Sequence, residues 1–174
     1  MRANKQKEER LTFDIAHERW SYDPTTGIFR WKIARGRGIK PGDVAGSLSC
    51  GGYTQLRYDY AWYFGHRVAW LMTYGAWPAN TIDHVNGDKI DNRISNLREA
   101  TQQQNCCNGK QRVNNKLGAK GVVFRKQGNY SKYFAYIFVD GKQKHLGCFD
   151  VFEDAKAAYD AASRQYFGEF ARLC

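Results

Sequence analysis

Apolar positions in the first part of the chain predict short strands and a helix. Residues 28–31 follow a turn-rich segment at 22–27 and suggest a hairpin, and residues 53–58 form a further strand-like stretch. Apolar side chains cluster from 66 to 74 in the manner of a short helix, which Gly75 is placed to end. We therefore expect small antiparallel sheets beside a short helix in this part of the chain.

The segment from 81 to 109 is dense in Asp and Asn, whose side chains favour turns or bind metal ions. Asn86 and Gly87 both tolerate a positive φ, so this dipeptide predicts a two-residue hairpin turn. Thr101 and Gln104 have the spacing of a helix-capping box, which predicts a helix that ends near residues 108–109. The segment is thus expected to run strand, turn, strand, helix.

The last third of the chain predicts three strands followed by one helix. The strands are expected at residues 122–125, 133–139 and 143–149. Apolar residues then recur at helical spacing over residues 152–167, which is typical of a helix with one buried stripe. Residues 111–119 contain few apolar groups and show no period, so we interpret them as a linker.

Composition indicates a folded, basic protein. The 174 residues carry 27 Lys and Arg against 17 Asp and Glu, a net charge of +10, and 43% are hydrophobic, too many for a disordered chain. This charge favours a polyanionic partner such as nucleic acid, although ribosomal and membrane-surface roles also fit. No apolar run reaches the ~20 residues of a membrane span and the charged start lacks a secretion signal, so we expect no membrane insertion and an intracellular, cytoplasmic protein.

Charge is segregated within the last third of the chain. Residues 120–146, which hold the predicted strands, carry a net charge of +5, and residues 150–169, in the predicted helix, carry −3. The sheet is therefore expected to face a polyanion and the helix to lie behind it.

Cysteine usage argues against a disulfide framework and against structural zinc. The chain has 5 cysteines, an odd number, of which Cys106 and Cys107 are adjacent. No C-x-x-C pair occurs, and no second Cys or His pair stands at ligand spacing. We expect no structural zinc.

Candidate chemistry lies in the Asp- and Asn-rich segment, at the adjacent pair Asp83 and His84. A neutral imidazole accepts a proton from water near pH 7. Carboxylate and amide oxygens suit a hard cation such as Mg²⁺, and Asp83 and Asn105 can supply them. Other interpretations stay open at this point: a polar turn for Asp83 and His84, a helix cap for Asn96, and an ordinary exposed helical position for Asn105.

Spaced motifs surround this pair. They are His66-Arg-Val-Ala, Ile82-Asp-His-Val-Asn-Gly-Asp88, Asp91-Asn-Arg-Ile-Ser-Asn-Leu-Arg98, Ala100-Thr and Asn105. Together they resemble the HNH (ββα-metal) endonucleases, especially the phage and intron-encoded homing type. A lone Asp-His pair would be a weak signal, whereas this combination fixes residue types over a long stretch.

The HNH resemblance implies a role for each matching residue. Asp83 and Asn105 would be ligands of Mg²⁺ or Mn²⁺, and His84 would be the general base that deprotonates water. Asn96 would orient the His84 ring through a hydrogen bond. Beside them, His66 and Arg67 match the pattern but precede the catalytic hairpin, so we rank structural packing or a phosphate contact above catalysis.

The end of the chain shows a second resemblance. Gly121-Val-Val-Phe-Arg125, Tyr133-Phe-Ala-Tyr-Ile137, Leu146-Gly-Cys-Phe149 and Ala157-Ala-Tyr-Asp-Ala-Ala162 follow the pattern of the Apetala2/ethylene-response-factor DNA-binding domain. That resemblance implies a sheet lying in the DNA major groove. Phe138 stands where the family often has a base-reading Arg, so no base preference is carried over. The candidate DNA contacts are Arg125, Lys126, Lys132, Tyr133, Tyr136, Lys142 and Lys144, for which a solvated strand face is the alternative.

The two resemblances divide the chain. We expect an HNH nuclease domain at 1–110 with its catalytic ββα core at 81–109, a linker at 111–119, and an Apetala2-like domain at 120–174. The expected fold class is α+β, with a ββα-metal nuclease domain followed by a three-stranded antiparallel sheet packed on one helix.

The expected function is that of a site-directed, metal-dependent homing endonuclease that hydrolyses double-stranded DNA, encoded by a phage and acting inside a bacterial host. The main alternative is a non-catalytic, sequence-specific DNA-binding regulator on a nuclease scaffold. RNA binding is disfavoured, because the strands show no obvious aromatic pair of the RNA-recognition-motif type. Oligomeric state and the number of strands cut stay open.

Overall fold

The computed structural model describes residues 7–36, 38–108, 117–127 and 130–171, with the side chains of 107, 108 and 127 left out. The chain divides into two compact units, Met1–Thr101 and Gln102–Cys174. Both mix short helices with small antiparallel sheets, which confirms the mixed α and β character expected from the sequence. Among the described residues, no helix is long and apolar enough to cross a membrane.

In the part of the N-terminal unit that the structure describes, the elements with defined bounds are α1 (Phe13–Arg19), β1 (Trp20–Asp23), β2 (Ile28–Trp31), β3 (Ser47–Leu48), β4 (Thr54–Tyr58), β5 (Ala61–Phe64), α2 (Gly65–Tyr74), β6 (Thr81–His84), a 3₁₀ turn (Ile94–Asn96) and β7 (Leu97–Ala100). Their strands form small antiparallel sheets in the orders β1–β2, β3–β4–β5 and β6–β7. The predicted helix at 66–74 is confirmed, and Gly75 ends it in the left-handed conformation at φ 78°.

One apolar core joins these pieces. Trp20, Phe29, Leu56 and Val68 are at most 1% exposed and come from different elements. Burial of such side chains contributes about 1.5–3 kcal/mol each. Ile82 of β6 and Leu97 of β7 lie in the same cluster. The β6–β7 hairpin is thereby fixed to the rest of the unit.

The hairpin predicted at Asn86-Gly87 is wrong in its register. β6 pairs with β7, which places Asp83 opposite Arg98 and leaves residues 85–96 as the connection. Gly87 does take a positive φ of 71°, and its N–H donates to the His84 carbonyl, but the turn it makes lies inside this loop. The polar residues after Gly87 lack the alternation of a strand, and Asp and Asn side chains there accept backbone N–H groups of the loop itself.

The C-terminal unit contains a three-stranded antiparallel sheet in the order β10–β9–β8, with a helix on either side in sequence. Its elements are α3 (Gln102–Asn108), β8 (Val122–Gln127), β9 (Tyr130–Val139), β10 (Lys142–Phe149), α4 (Phe152–Phe167) and a 3₁₀ turn (Gly168–Phe170). Ala135, Ile137 and Val139 alternate along β9 and are buried in clusters that also contain Ala155 and Ala162 of α4.

The boundary between the units differs from the expected one. The structure divides the chain after Thr101, so α3 is grouped with the C-terminal unit, whereas the sequence placed it in the nuclease domain. Residues 111–116 of the expected linker lie outside the described residues. Ala119, also assigned to that linker, is fully buried in the C-terminal core.

Candidate active site

The end of β6 carries a carboxylate and an imidazole on consecutive residues, and both side chains are buried. Asp83 is 4% exposed and His84 is 6% exposed. Ile82, the residue before them, is anchored in the core, which fixes the strand that carries both side chains. Because polar groups are seldom buried unless they are satisfied or functional, this pair is the first candidate for chemistry.

Asp83 forms a buried ion pair with Arg98. The guanidinium donates to Oδ2 of Asp83 from Nε at 3.0 Å and from Nη2 at 2.9 Å. The two side chains are only 5% and 15% exposed. The cross-strand register of β6 and β7 creates this contact, since the two residues are direct partners in the ladder.

The ring of His84 lies in an aromatic pocket. The His66 ring, on the second residue of α2, is 5.1 Å away between centroids and nearly perpendicular, at 83°. The Tyr53 ring is 6.1 Å from His84 and 5.4 Å from His66. Lys89, from the loop at 85–96, places its ammonium 4.7 Å from the Tyr53 ring. These contacts restrict the tilt of the His84 ring, which is 6% exposed.

Both histidines are neutral at pH 7. Burial lowers the pKa of His84 below its ordinary 6.5, and the Asn92 amide and the Asp83 carboxylate oppose the shift. Burial lowers the pKa of His66 to about 3, and the charges of His84 and Arg67 add smaller effects in the same direction. A neutral ring can accept a proton, so His84 is in the state that a general base requires.

We expect acid to destabilise the N-terminal unit through His66. Unfolded His66 takes up a proton below its ordinary pKa of 6.5, whereas folded His66 does so only near a pKa of 3, so stability is lost as the pH falls between these values. The loss should approach about 1.4 kcal/mol per pH unit for this residue. Urea unfolding at about pH 7, 6 and 5 measures it, and His66→Phe, which keeps a ring, should flatten the pH dependence. Equal slopes in both proteins would contradict this assignment.

Asn96 does not make the expected hydrogen bond to His84. Its Oδ1 accepts from the Asn86 N–H at 3.0 Å, and its Nδ2 donates to the Asp91 carbonyl at 2.9 Å. The buried Asn96 amide thus hydrogen bonds to backbone groups of the loop at 85–96. The sequence did not reveal this role, because the expected hairpin turn at Asn86-Gly87 left no room for so long a loop. Asn92, which is 2% exposed, donates from Nδ2 to the Ile90 carbonyl at 3.1 Å, and its amide opposes the lowering of the His84 pKa.

The loop at 85–96 rests on the β1–β2 turn. The Tyr22 hydroxyl donates to the Asn92 carbonyl at 2.7 Å, and the Ile94 N–H donates to the Pro24 carbonyl at 3.1 Å. Gly27 allows the closest approach, because a Cβ there would lie 2.5 Å from the backbone nitrogen of Arg93. The position of Asn92 beside His84 therefore depends on a turn far away in the sequence.

His66 and Arg67, adjacent on α2, have different surroundings. Arg67 donates to Glu8 at 2.7 Å and 3.0 Å and to the carbonyls of Pro78 and Asn80. These contacts tie the start of the chain to α2 and favour the structural interpretation of Arg67. His66 contacts the His84 ring, and its Nδ1 is buried with no hydrogen-bond partner within the described structure.

The proposed metal ligands fall in different units. Asp83 belongs to the N-terminal unit, whereas Asn105 is an exposed residue of α3 in the C-terminal unit. In the described part of the chain, no three His, Cys, Asp or Glu side chains form a group that could hold a metal ion. The buried carboxylate of Asp83 is nonetheless the hard oxygen donor that Mg²⁺ or Mn²⁺ prefers.

The sheet register separates the candidate DNA contacts into two faces. Arg125, Lys132 and Tyr136 lie on the face that points away from the buried residues of β9, which we call the outer face. Lys126, Lys142 and Lys144 alternate onto the other face, at its exposed margins. The Lys144 ammonium lies 3.3 Å from the Tyr166 hydroxyl of α4.

Tyr133 is misplaced among the DNA contacts. It shares its side of β9 with Ala135, and its ring packs 4.9 Å from Phe124 and 5.7 Å from Phe152 at the start of α4. The alternation of buried residues along β9 requires this orientation. Tyr133 therefore belongs to the core of the unit.

Three site residues were not assigned from the sequence. Asn92 and Arg98 stand inside the quoted motifs, so their presence was visible, but their contacts depend on the β6–β7 register. Tyr53 reaches the site from the start of β4 and carries no sequence signal that connects it to His84.

Comparison with known proteins identifies the segment that contains this site. Residues 63–106 match a protein-family model described as HNH endonuclease. The chain is 30% identical over 129 residues to an uncharacterized HNH endonuclease of Acanthamoeba polyphaga mimivirus, an alignment covering 64% of this chain and 65% of that protein. It is 29% identical over 109 residues to Protein 3.8 of Escherichia phage T7, covering 62% of this chain and 88% of that protein. No solved structure matches the chain.

The matched segment begins in β5 and ends in α3, so it includes His66, Asp83, His84, Asn92 and Arg98. The alignment with the mimivirus protein is longer than the segment matched by the family model. It spans just under two thirds of that protein. Residues 63–106 are therefore similar to HNH endonuclease domains.

Proposed function

We propose that the protein is a site-directed DNA endonuclease of the homing type, dependent on a divalent metal ion, with His84 as general base. One observation carries the proposal: the HNH segment buries a carboxylate and a neutral imidazole on consecutive residues, Asp83 and His84. A protein that only bound DNA would gain nothing from burying this pair, because phosphate contacts are made by exposed cations. The mimivirus relative is named as an HNH endonuclease, which supports the same assignment.

His84 would take the proton of the attacking water. Burial holds the ring neutral, and the contacts with His66 and Tyr53 restrict its orientation. We assign to Asn92 the orienting role that the family resemblance suggested for Asn96, supported by its burial and by the effect of its amide on the pKa of His84. A fixed ring presents the same nitrogen to water in every catalytic cycle, which reduces the entropy lost on reaching the transition state.

Asp83 would hold the cation, Mg²⁺ or Mn²⁺, and the proposal of Asn105 as a second ligand rests on the family resemblance alone. A bound divalent ion supplies charge stabilisation for the phosphate and the departing oxygen. Asp83 fits this role by the chemistry of its carboxylate and by its burial. Arg98 donates two hydrogen bonds to Oδ2 of the same carboxylate, which restrict the rotamer of Asp83.

The C-terminal unit would bind the DNA that the HNH domain cuts, as an Apetala2-like domain. Support comes from the net charge of +5 over residues 120–146 and from the outward position of Arg125 and Lys132 on the sheet. Lys126, Lys142 and Lys144 lie at the margins of the other face and would add phosphate contacts from the flank. Tethering the two units raises the concentration of the nuclease at its site.

Analysis of the cleaved ends tests the chemistry of the proposal. Duplex DNA nicked or cut by the protein with Mg²⁺ should carry 5′-phosphate and 3′-hydroxyl ends, because water attacks phosphorus and the 3′ oxygen departs. DNA ligase should then reseal the products without prior kinase treatment. Ends that ligase rejects until a kinase has acted would contradict hydrolysis of this kind.

A further inference from the structure

The outer face of the C-terminal sheet carries a row of aromatic rings. Tyr130, Phe134, Tyr136 and Phe138 occupy alternate positions of β9, and His145 lies opposite Tyr136 on β10. We call these five residues the aromatic face. Phe138 is 62% exposed and Tyr130 is 51% exposed. Aromatic side chains on a sheet are usually buried in a core, and exposed apolar patches commonly mark binding sites. The aromatic face is therefore a candidate ligand-binding surface.

The rings are arranged as a shallow stack. The rings of Phe134 and Tyr136 are nearly parallel, at 13°, with centroids 6.4 Å apart. The His145 ring is 5.1 Å from Tyr136 and 6.2 Å from Phe134. A ligand that lies on this surface meets flat π systems at several neighbouring positions.

Positive charge borders the rings. The Arg125 guanidinium lies over Phe134 at 5.1 Å, and the Lys132 ammonium lies 5.8 Å from the Tyr130 ring. Lys132 also pairs with Asp150, an exposed residue at the end of β10. Aromatic rings with cations along one side are the combination that binds single-stranded nucleic acid, in which bases stack on the rings and phosphates meet the cations.

We infer that the aromatic face binds unpaired nucleotides of the DNA on which the protein acts. The inference rests on the proposed function in one respect: the nucleic acid is DNA because the proposed substrate of the nuclease is DNA. Paired bases offer a groove reader their edges, which hydrogen-bonding side chains recognise. Phe134 and Phe138 have no polar atoms for that purpose. Unpaired bases expose their faces, and these stack on such rings.

The face therefore changes the role expected from the Apetala2 resemblance. Phe138 occupies the position where that family often has a base-reading Arg, and its neighbours Phe134 and Tyr136 extend the apolar row. The duplex remains the substrate that the HNH domain cuts, and the aromatic face would hold a stretch within it where the strands have separated.

Fluorescence anisotropy with the full chain in EDTA tests this inference without cleavage. The probes are a perfect duplex, the same duplex with a central bubble of about eight unpaired nucleotides, within the ~4–16-nucleotide site sizes of stacking surfaces, and the single strand. The bubble and the single strand should bind at least about tenfold tighter than the duplex, the effect of one or two stacked bases.

Two substitutions and a matched control locate the binding. Phe138→Ala and Tyr136→Ala should each weaken bubble binding by roughly tenfold, and Phe138→Ala should leave duplex binding nearly unchanged. Phe138→Trp, which keeps a π face, should retain bubble affinity. Tyr166→Ala removes an exposed aromatic ring from α4, outside the aromatic face, and should have little effect. Circular dichroism of each variant checks that the unit still folds.

Equal affinity for bubble and duplex would overturn the inference, as would bubble binding that survives Phe138→Ala. The same preparations are assayed for plasmid cleavage with Mg²⁺. Cleavage without any preference for unpaired DNA would contradict the inference and support the nuclease assignment. Preference for unpaired DNA without cleavage keeps the inference and removes the nuclease assignment.

Discussion

Replacing His84 by alanine is expected to lower the single-turnover rate of DNA cleavage by about 10²–10⁴-fold, the contribution typical of a general base. The loss follows because the buried imidazole that follows Asp83 in β6 would be gone. The His66 ring, whose centroid is 5.1 Å from that of His84, belongs to α2 and remains. DNA binding, measured by gel shift in EDTA, should stay close to that of the wild type, since the deleted ring carries no charge at pH 7.

His17→Ala is the matched control for this substitution. The His17 ring hydrogen bonds to the Met72 carbonyl at 3.1 Å, in the same unit but outside the group of rings around His84. Its loss should cost about 0.5–1.5 kcal/mol of stability and leave the cleavage rate unchanged. A His84→Ala protein that cuts DNA as fast as the wild type would remove His84 from the mechanism.

Replacing Gly27 by alanine is expected to destabilise the N-terminal unit by about 2–5 kcal/mol, from ~1–2 kcal/mol for a left-handed residue with a Cβ and ~1–3 kcal/mol for overpacking. Gly27 has a φ of 73°, and the added Cβ would meet the Arg93 nitrogen at 2.5 Å and the Asn92 carbonyl carbon at 2.6 Å. Relief of this clash must move the loop at 85–96, which carries Asn92 away from His84. Cleavage should then fall by about 100-fold, as expected for a misplacement near 1 Å.

Gly75→Ala separates the clash from the backbone strain. Gly75 has a similar φ of 78°, but a Cβ there would have nothing within 4 Å. This variant should lose only the ~1–2 kcal/mol of the left-handed conformation and should cut DNA normally. Urea unfolding and single-turnover cleavage of both variants make the comparison. Equal behaviour of the two glycine variants would show that the β1–β2 turn does not support the catalytic loop.

Elements that depend on local pattern could be predicted from the sequence. The apolar stripe at 152–167 matches the bounds of α4, and the helix at 66–74 begins one residue earlier in the structure. Helical periodicity and a glycine stop signal are properties of neighbouring residues, so no tertiary information is needed. The residue types at Asp83 and His84 were equally visible, because the spaced motifs identify them.

Contacts that depend on strand register could not be predicted. The choice of Asn86-Gly87 as a hairpin turn hid the pairing of Asp83 with Arg98, because the true partner strand begins only at residue 97. Asn96 was therefore assigned a contact with His84, whereas its amide bonds the backbone of Asn86 and Asp91 within the loop. A turn-forming dipeptide indicates a change of direction but not the length of the connection. Here Asp and Asn side chains accept backbone N–H groups of the loop and so stabilise a long connection.

The two faces of the C-terminal sheet show a different failure. Tyr133, Ala135, Ile137 and Val139 alternate along β9, so strict alternation would have placed Tyr133 in the core. The family resemblance instead placed it among the DNA contacts. The same alternation brings Phe134, Tyr136 and Phe138 together, an arrangement that became visible only once the register with β10 was known.

Incubation of a supercoiled plasmid that carries the target DNA tests most directly whether the Asp83 and His84 site cuts DNA. With Mg²⁺, wild-type protein should convert the plasmid to the open-circular form if it cuts one strand, or to the linear form if it cuts both, and EDTA should prevent either change. A plasmid that stays supercoiled with Mg²⁺ and with Mn²⁺, while a gel shift shows the same DNA bound, would contradict the nuclease assignment and favour a DNA-binding regulator.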